Sequence, residues 1–314
     1  PLANSPLGLP KKAKEYGSRR KHRPARAGTS QRKMKPAFLK GEELLVDIES
    51  ARSDKSNTLY TWWLGQSGFL VMSAGKTVLF DPYLSDSLTR KYAPTDKPHT
   101  RITELVLDPG TLEGIDIVTS SHNHTDHLDK ETLIALVQAN PELDFVIPEA
   151  NRAFIADRLE RDPSLPIGLN DGLSTTVKGV TFHGLASAHD ELKTNEKGEH
   201  HFMGFVIELG PWKIYHSGDT RLYHGLVSRL KPFNLDLAFL PINGYKPERR
   251  VAGNLNSEEA AQLADECSIK TVVPHHYDLF EFNTADPVDF EKACQFRNVN
   301  HHVLQNGQRL TLER

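Results

Sequence analysis

Residues 122–129 (HNHTDHLD) place three imidazoles and two carboxylates within eight positions, directly after a strand-like run, and this segment constrains the fold more tightly than any other. Residues 115–121 (IDIVTSS) are β-branched and mostly apolar, the pattern of a buried strand, and a helical pattern begins over 130–138. The cluster therefore occupies a strand-to-helix loop. Backbone there is free of the ladder while the elements on either side hold it rigid, so several side chains can converge on one point. Imidazole nitrogen and carboxylate oxygen suit zinc, manganese or iron, at about 2.0–2.2 Å for zinc. A polar loop whose histidines merely cap the next helix would account for a lone His, not for three His and an Asp in six residues.

The pattern His122-x-His124-x-Asp126-His127 matches the H-x-H-x-D-H signature of the metallo-β-lactamase superfamily, and the resemblance continues downstream. Ser187-Ala188-His189 follows strand-like residues 180–185, Ser217-Gly218-Asp219-Thr220 follows 213–216, and Pro274-His275-His276-Tyr277 follows 270–273. That is the order and context in which the superfamily supplies a His, a bridging Asp and a final His. Residues 62–69 (WWLGQSGF), 80–85 (FDPYLS) and 274–282 (PHHYDLFEF) resemble the branch containing L-ascorbate-6-phosphate lactonase. The likeness spans roughly residues 38–312. The same branch is similar to N-acyl-phosphatidylethanolamine phospholipase D and to hydrolases of unassigned substrate, so the motifs are more specific for fold and metal site than for substrate.

The resemblance implies an α/β fold, a four-layer αββα sandwich with its site at strand ends. It also implies one or two divalent metal ions, manganese in preference to zinc. His122, His124 and His189 would hold one ion, Asp126, His127 and His276 a second, and Asp219 would bridge them. Two ions about 3.5–4 Å apart can share a water and lower its pKa from 15.7 towards about 7, giving a hydroxide nucleophile at neutral pH. Asp126 is the expected catalytic residue, taking a proton as a tetrahedral intermediate forms or collapses. Between the tandem histidines, the P-x-H-Y-D pattern of the resembling sequences selects His276 as ligand and leaves His275 as a structural neighbour. His216 and His224, flanking Asp219, are expected to pack or to support ligands.

Charge divides the chain sharply. Residues 1–40 hold twelve Lys or Arg against one acid, Glu15, so the net −3 splits into +11 over 1–40 and −14 over 41–314. Pro1, Pro6, Pro10, Pro24 and Pro36, with almost no apolar periodicity, make 1–40 a basic, disordered leader by composition, and 41–314 the metallo-β-lactamase-like hydrolase domain. A body so acidic disfavours nucleic acid as partner. No apolar run approaches the roughly 18–20 residues of a membrane span. Cys267 and Cys294 read as buried free thiols, compatible with a reducing cytoplasm. A homo-oligomer is compatible with the sequence.

Strands are expected at residues 59–64, 69–72, 77–80, 144–147, 180–184, 205–209, 213–216 and 235–240, and helices near 130–138 and 149–160. Asn256 with Glu259 reads as a capping box opening another helix. For substrate, Arg249 and Arg250 lie with Lys246 after residues 235–240, in a loop of the kind that rims such a site, where Arg can grip phosphate bidentately. Arg90, Lys91, Tyr92 and Lys97 form a second basic loop with His99 within reach of substrate, and Asn243 and Tyr277 are further rim candidates. The favoured expectation is a lactonase opening a small, phosphorylated sugar lactone. The alternatives are a phosphodiesterase or phospholipase-D-like hydrolase of the same fold and, from another class, a non-catalytic metal-binding scaffold.

Overall fold

Helix α1 (Gly41–Arg52) leads into three antiparallel strands, β1 (Leu59–Gly65), β2 (Gly68–Ser73) and β3 (Lys76–Phe80). Strand side chains alternate between faces, and here both faces are apolar. Trp62, Leu64, Leu70, Met72 and Leu79 enter one core; Trp63, Phe69, Val71, Val78 and Phe80 enter another. A sheet buried on both sides needs a layer on each.

The computed structural model describes residues 34–54 and 56–314. Residues 1–33, the larger part of the expected leader, lie outside the described residues. Residues 34–40, counted with the leader on composition, pack on the body: Lys35 N donates to Ile102 O at 2.7 Å, Phe38 N to Asn306 O at 2.7 Å, and Lys40 pairs with Glu104 at 2.9 Å.

The first half continues through α2 (Ser87–Tyr92), β4 (Ile117–Thr119), α3 (Lys130–Ala139), β5 (Asp144–Pro148), α4 (Arg152–Leu159) and β6 (Ile167–Leu169). The second holds β7 (Ser174–Val177), β8 (Val180–Ala186), β9 (Met203–Leu209), β10 (Trp212–His216), α5 (Leu226–Leu230), β11 (Leu237–Pro241), α6 (Ser257–Glu266), β12 (Val272–His275), α7 (Pro287–Arg297) and β13 (Arg309–Leu312). Strand order is β13-β1-β2-β3-β4-β5-β6 in one sheet and β12-β11-β10-β9-β8-β7 in the other. The last strand thus leaves its own half to pair with the first.

The inter-sheet core joins Phe69, Phe80, Phe182, Phe205 and Phe239 and runs on to Leu263 of α6 and Phe290 of α7. The outer core packs Leu44 and Ile48 of α1, Leu133 and Leu136 of α3 and Ile155 of α4 on the first sheet. Helices, sheet, sheet and helices make the four layers of an αββα sandwich. Each such side chain contributes about 1.5–3 kcal/mol on burial, so the two sheets are held face to face by many concurrent terms. The Asn256 capping box forms as expected, with Asn256 Oδ1 accepting from Glu259 N and Glu259 Oε2 from Asn256 N, both at 2.9 Å. Strands β1, β3, β4 and β5 share one direction, as do β8, β10, β11 and β12. Loops at their C-terminal ends supply the site.

Candidate metal centre

The loop from β4 to α3 turns tightly because His127 N and Leu128 N both donate to His124 O, at 3.0 and 2.8 Å. Leu128 is fully buried, and Asp129 caps α3 by accepting from Thr132 N at 3.0 Å. These anchors leave the His122, His124, Asp126 and His127 side chains free to face one point. His189 arrives after β8, Asp219 after β10 and His276 at the end of β12. Gly218 makes the approach of Asp219 possible: at φ +57, a Cβ there would lie 2.6 Å from Ser121 Cβ and 2.7 Å from Met203 O.

All seven residues expected from the sequence meet. Three triads have ligand atoms within 4.8 Å of one another: His122, His124 and His189; His122, His127 and Asp219; and Asp126, His127 and His276. Asp219 spans the cluster, with Oδ1 at 3.3 Å from His127 Nε2 and 3.1 Å from His276 Nε2, and Oδ2 at 3.5 Å from His189 Nε2. Asp126 Oδ2 stands 3.6 Å from both His127 Nε2 and His276 Nε2. His122 Nε2, His127 Nε2 and Asp219 Oδ1 are buried without a hydrogen-bond partner. Such orphans are costly unless something else satisfies them, and their convergence on one point fits a divalent cation. The donors are nitrogen and oxygen only, with both thiols in buried positions outside the cluster, a set that suits manganese, zinc or iron.

His275 and His276 part company at a backbone turn. His275 remains in the ladder, stacked on His216 at 5.3 Å with Nδ1 3.1 Å from Ser67 Oγ, while His276 adopts φ +65 and swings into the cluster. Left-handed backbone is unusual for a non-glycine residue and needs support; His276 N donates to Gln66 O at 3.2 Å.

A second ring of residues orients the first. Asp81, fully buried after β3, accepts from Ser121 N and Thr119 Oγ1 at 3.0 Å each and faces His127 Nδ1 at 2.7 Å. His189 Nδ1 lies 2.9 Å from Gly253 O, a carbonyl that only accepts, so Nδ1 donates there and Nε2 is the nitrogen turned to the cluster. Gln66 Nε2 donates to Asp126 Oδ2 at 2.8 Å. Asp81 and Gln66 carry no ligand signature of their own in the sequence, although both fall in the family-like stretches 80–85 and 62–69.

The electrostatics follow from crowding charge into a largely buried site, with His124 and Asp126 at its open side. Desolvation, then neighbouring His127 and His124, hold His122 far below the usual imidazole range. Desolvation and His189 bring His124 down to about 4. For His127, burial works downwards but is outweighed by Asp219, Asp126 and the Asp81 hydrogen bond, which raise it well above the ordinary value. Burial would raise Asp126 and Asp219, yet His127 and His276 reverse both, so the carboxylates stay ionised.

A cavity of about 420 Å³ opens over the cluster. Lys91, Tyr92 and His99 line it, as do Arg158 and Arg250, the last also pairing with exposed Asp96 at 2.6 Å. Several expected rim residues sit elsewhere. Arg249 is buried, donating to Asn243 O, Asn283 Oδ1 and Thr284 O, so it fastens its loop and does not line the cavity. Tyr277 is also buried, stacked on Trp63 at 4.3 Å with its hydroxyl donating to Leu304 O. Asn243 donates to Asn283 Oδ1 within the same buried network. Arg158 was not singled out in the sequence; on α4 it donates to Asn123 O and Leu128 O, bracketing the histidine loop.

The profile of the Beta-lactamase superfamily domain matches residues 76–277, which include all seven cluster residues. The chain belongs to the β-lactamase superfamily. Within reach of it is a UPF0173 metal-dependent hydrolase of Caldivirga maquilingensis, 27% identical over 263 residues that cover 81% of this chain and 98% of the relative. Among solved structures, Igni18, a metallo hydrolase from Ignicoccus hospitalis, superposes with a TM-score of 0.60 at 21% identity, covering 82% of this chain and 99% of its own. The isothiocyanate hydrolase from Delia radicum gut bacteria gives 0.62 at 19% identity, with 80% and 98% covered. At these identities the structural likeness is one of fold, which with the family match is the metallo-β-lactamase fold.

Proposed function

We propose that this member of the superfamily is a metal-dependent hydrolase that opens a small anionic lactone, with a phosphorylated sugar lactone as the leading substrate. The cavity wall carries the reading. Apart from Asp126 and Asp219 of the cluster, its Asp, Glu, Lys and Arg residues are Lys91, Arg158 and Arg250, all cationic. Such a wall welcomes an anionic end while the cluster receives a carbonyl. Beside them the rings of Tyr92 and Phe282 pack on His99, at 4.0 and 4.3 Å, offering an apolar face to a sugar's C–H groups. A volume near 420 Å³ is that of a small-molecule pocket and is tight for a two-chain phospholipid.

His122, His124 and His189 would hold one ion, Asp126, His127 and His276 the other, with Asp219 between them. Divalent ions bound there, manganese in the favoured form, supply Lewis acidity that lowers the pKa of water and polarises the lactone carbonyl. Asp126 is the more accessible carboxylate, 18% exposed against 3% for Asp219. It takes the proton of the attacking water and returns it to the ring oxygen as the acyl C–O bond breaks, leaving a hydroxy acid. Lys91 and Arg250 hold the distant anion and set the carbonyl over the centre. The buried free thiols Cys267 and Cys294 are in keeping with a reducing cytoplasm.

The test uses protein stripped of metal and reloaded with manganese or zinc, assayed against 6-phosphogluconolactone and bis(p-nitrophenyl) phosphate. Metal-dependent opening of the lactone alone supports the reading. Cleavage of the diester alone overturns it in favour of phosphodiester chemistry, and inertness towards both in the loaded protein favours a scaffold.

A further inference from the structure

We propose that Gln66 is a positioning residue whose side-chain amide fixes Asp126 for the second metal ion. It rests on the two-ion reading of the centre but not on any substrate. Gln66 sits in the turn between β1 and β2, is 1% exposed and lines the cavity floor beside the cluster. Its backbone is left-handed at φ +49, an unusual conformation for a buried non-glycine residue. The turn is held there by its carbonyl, which accepts from Trp63 Nε1 at 3.0 Å and from His276 N at 3.2 Å. One residue thus braces the main chain of a ligand with its backbone and the carboxylate of another with its side chain.

The amide's orientation is fixed by chemistry. A carboxylate that serves a metal ion only accepts, so the atom 2.8 Å from Asp126 Oδ2 is the NH₂. The same nitrogen stands 3.2 Å from His276 Nδ1. Oε1 is left at the other end, buried and unpartnered. A polar side chain held in a strained turn with one atom unsatisfied is tolerated where it serves a neighbour. The neighbour here is Asp126, the one carboxylate of the Asp126, His127 and His276 triad. Without the amide, Asp126 has no other hydrogen-bond donor among the described residues apart from the cluster imidazoles. It would then be free to rotate away from its two imidazoles.

The experiment titrates metal-free protein with manganese, reading stoichiometry and affinities by calorimetry and the coupling of adjacent ions by electron paramagnetic resonance. Gln66→Met keeps the length but has no donor. Gln66→Asn tolerates the left-handed turn but is one methylene too short to reach Asp126. Both are expected to bind the first ion as the parent does and the second about 10–100-fold more weakly, the usual effect of losing a partner of a metal ligand. Because Gln66 acts through Asp126, Gln66→Met in an Asp126→Asn background should weaken the second ion no further. Circular dichroism in chelator verifies the fold of each variant. Parent-like affinity for both ions in either folded variant, additive losses in the double variant, or a parent protein that takes up a single ion would each overturn the proposal. A negative lactone assay beside the expected titration would refute the substrate and leave the role of Gln66 standing.

Discussion

Asp81→Asn should cripple metal binding from a position that touches no metal. The parent carboxylate accepts from Ser121 N and Thr119 Oγ1 with Oδ1, and faces Ser121 Oγ and His127 Nδ1 with Oδ2. Asparagine keeps one acceptor oxygen, which serves the first pair, and turns the other atom into a donor. Ser121 can rotate its hydroxyl to accept. In the neutral form that binds an ion, His127 can relieve the donor–donor clash only by moving its proton from Nδ1 to Nε2, the nitrogen that faces Asp219 and Asp126. A nitrogen proposed to hold the ion is then capped by a proton. The charge-assisted hydrogen bond lost is worth about 1.5–3 kcal/mol, which at about 1.4 kcal/mol per decade corresponds to a roughly 10–100-fold weaker ion. That agrees with the range typical of partners to metal-bound histidine. Chelator competition with manganese or zinc reads the affinity directly. Thr119→Val, which removes a bond to Asp81 without reaching His127, is the control and should change affinity by less than about 3-fold. Asp81→Asn with parent-like affinity would refute the reasoning.

Asp126→Asn should lower turnover by about 10²–10⁴-fold while the circular dichroism spectrum is unchanged, and near-normal turnover would sink the proton-transfer role. Arg249→Ala and Arg250→Ala should separate cleanly despite their adjacency: the first strands buried acceptors and lowers stability by about 1–3 kcal/mol in a urea titration, the second raises KM with little change in the urea midpoint. The metal-free protein should lose stability as pH falls from about 6.5 towards 4. His122 and His124 have folded pKa values below the ordinary 6.5, so over that window the unfolded chain takes up protons the folded one refuses. His127 acts with the opposite sign, since its raised pKa stabilises the fold below 6.5 and that help fades as pH rises through the folded value. Urea midpoints measured in chelator should therefore fall on acidification, and a midpoint that climbs from pH 6.5 to 4 would contradict the desolvation of His122 and His124.

The seven cluster residues were legible because each follows an apolar strand and carries its chemistry in a short signature. Strands β1 to β3, α3 and the Asn256 capping box were legible for a similar reason, since period, turns and caps are local. What escaped was set by distant contact. Helix α1 has a weak amphipathic pattern, and the last strand, β13, is four residues long. Arg249 and Arg250 are indistinguishable as letters; the first is buried by carbonyls from residues 243 and 284, the second turns outward at φ +52. Tyr277, a rim candidate from the sequence, is covered by Trp63 from the other end of the domain. Asp81 and Gln66 come from β3 and the β1–β2 turn, and their meeting with the histidine loop exists only once the sheet has formed.

Pairing of β13 with β1 joins Leu59 to Leu312 and Trp62 to Arg309, partners about 250 residues apart. During synthesis, β1 therefore leaves the ribosome with one of its edges open, and it stays open until nearly the whole body has been made. An apolar strand waiting in that state is a template for strands of other chains. Neighbouring nascent chains on one message would present the same open edge, so the yield of native protein should depend on how well chaperones shield β1 in that interval. Removing residues 309–314 should leave a product that aggregates rather than one that merely melts earlier.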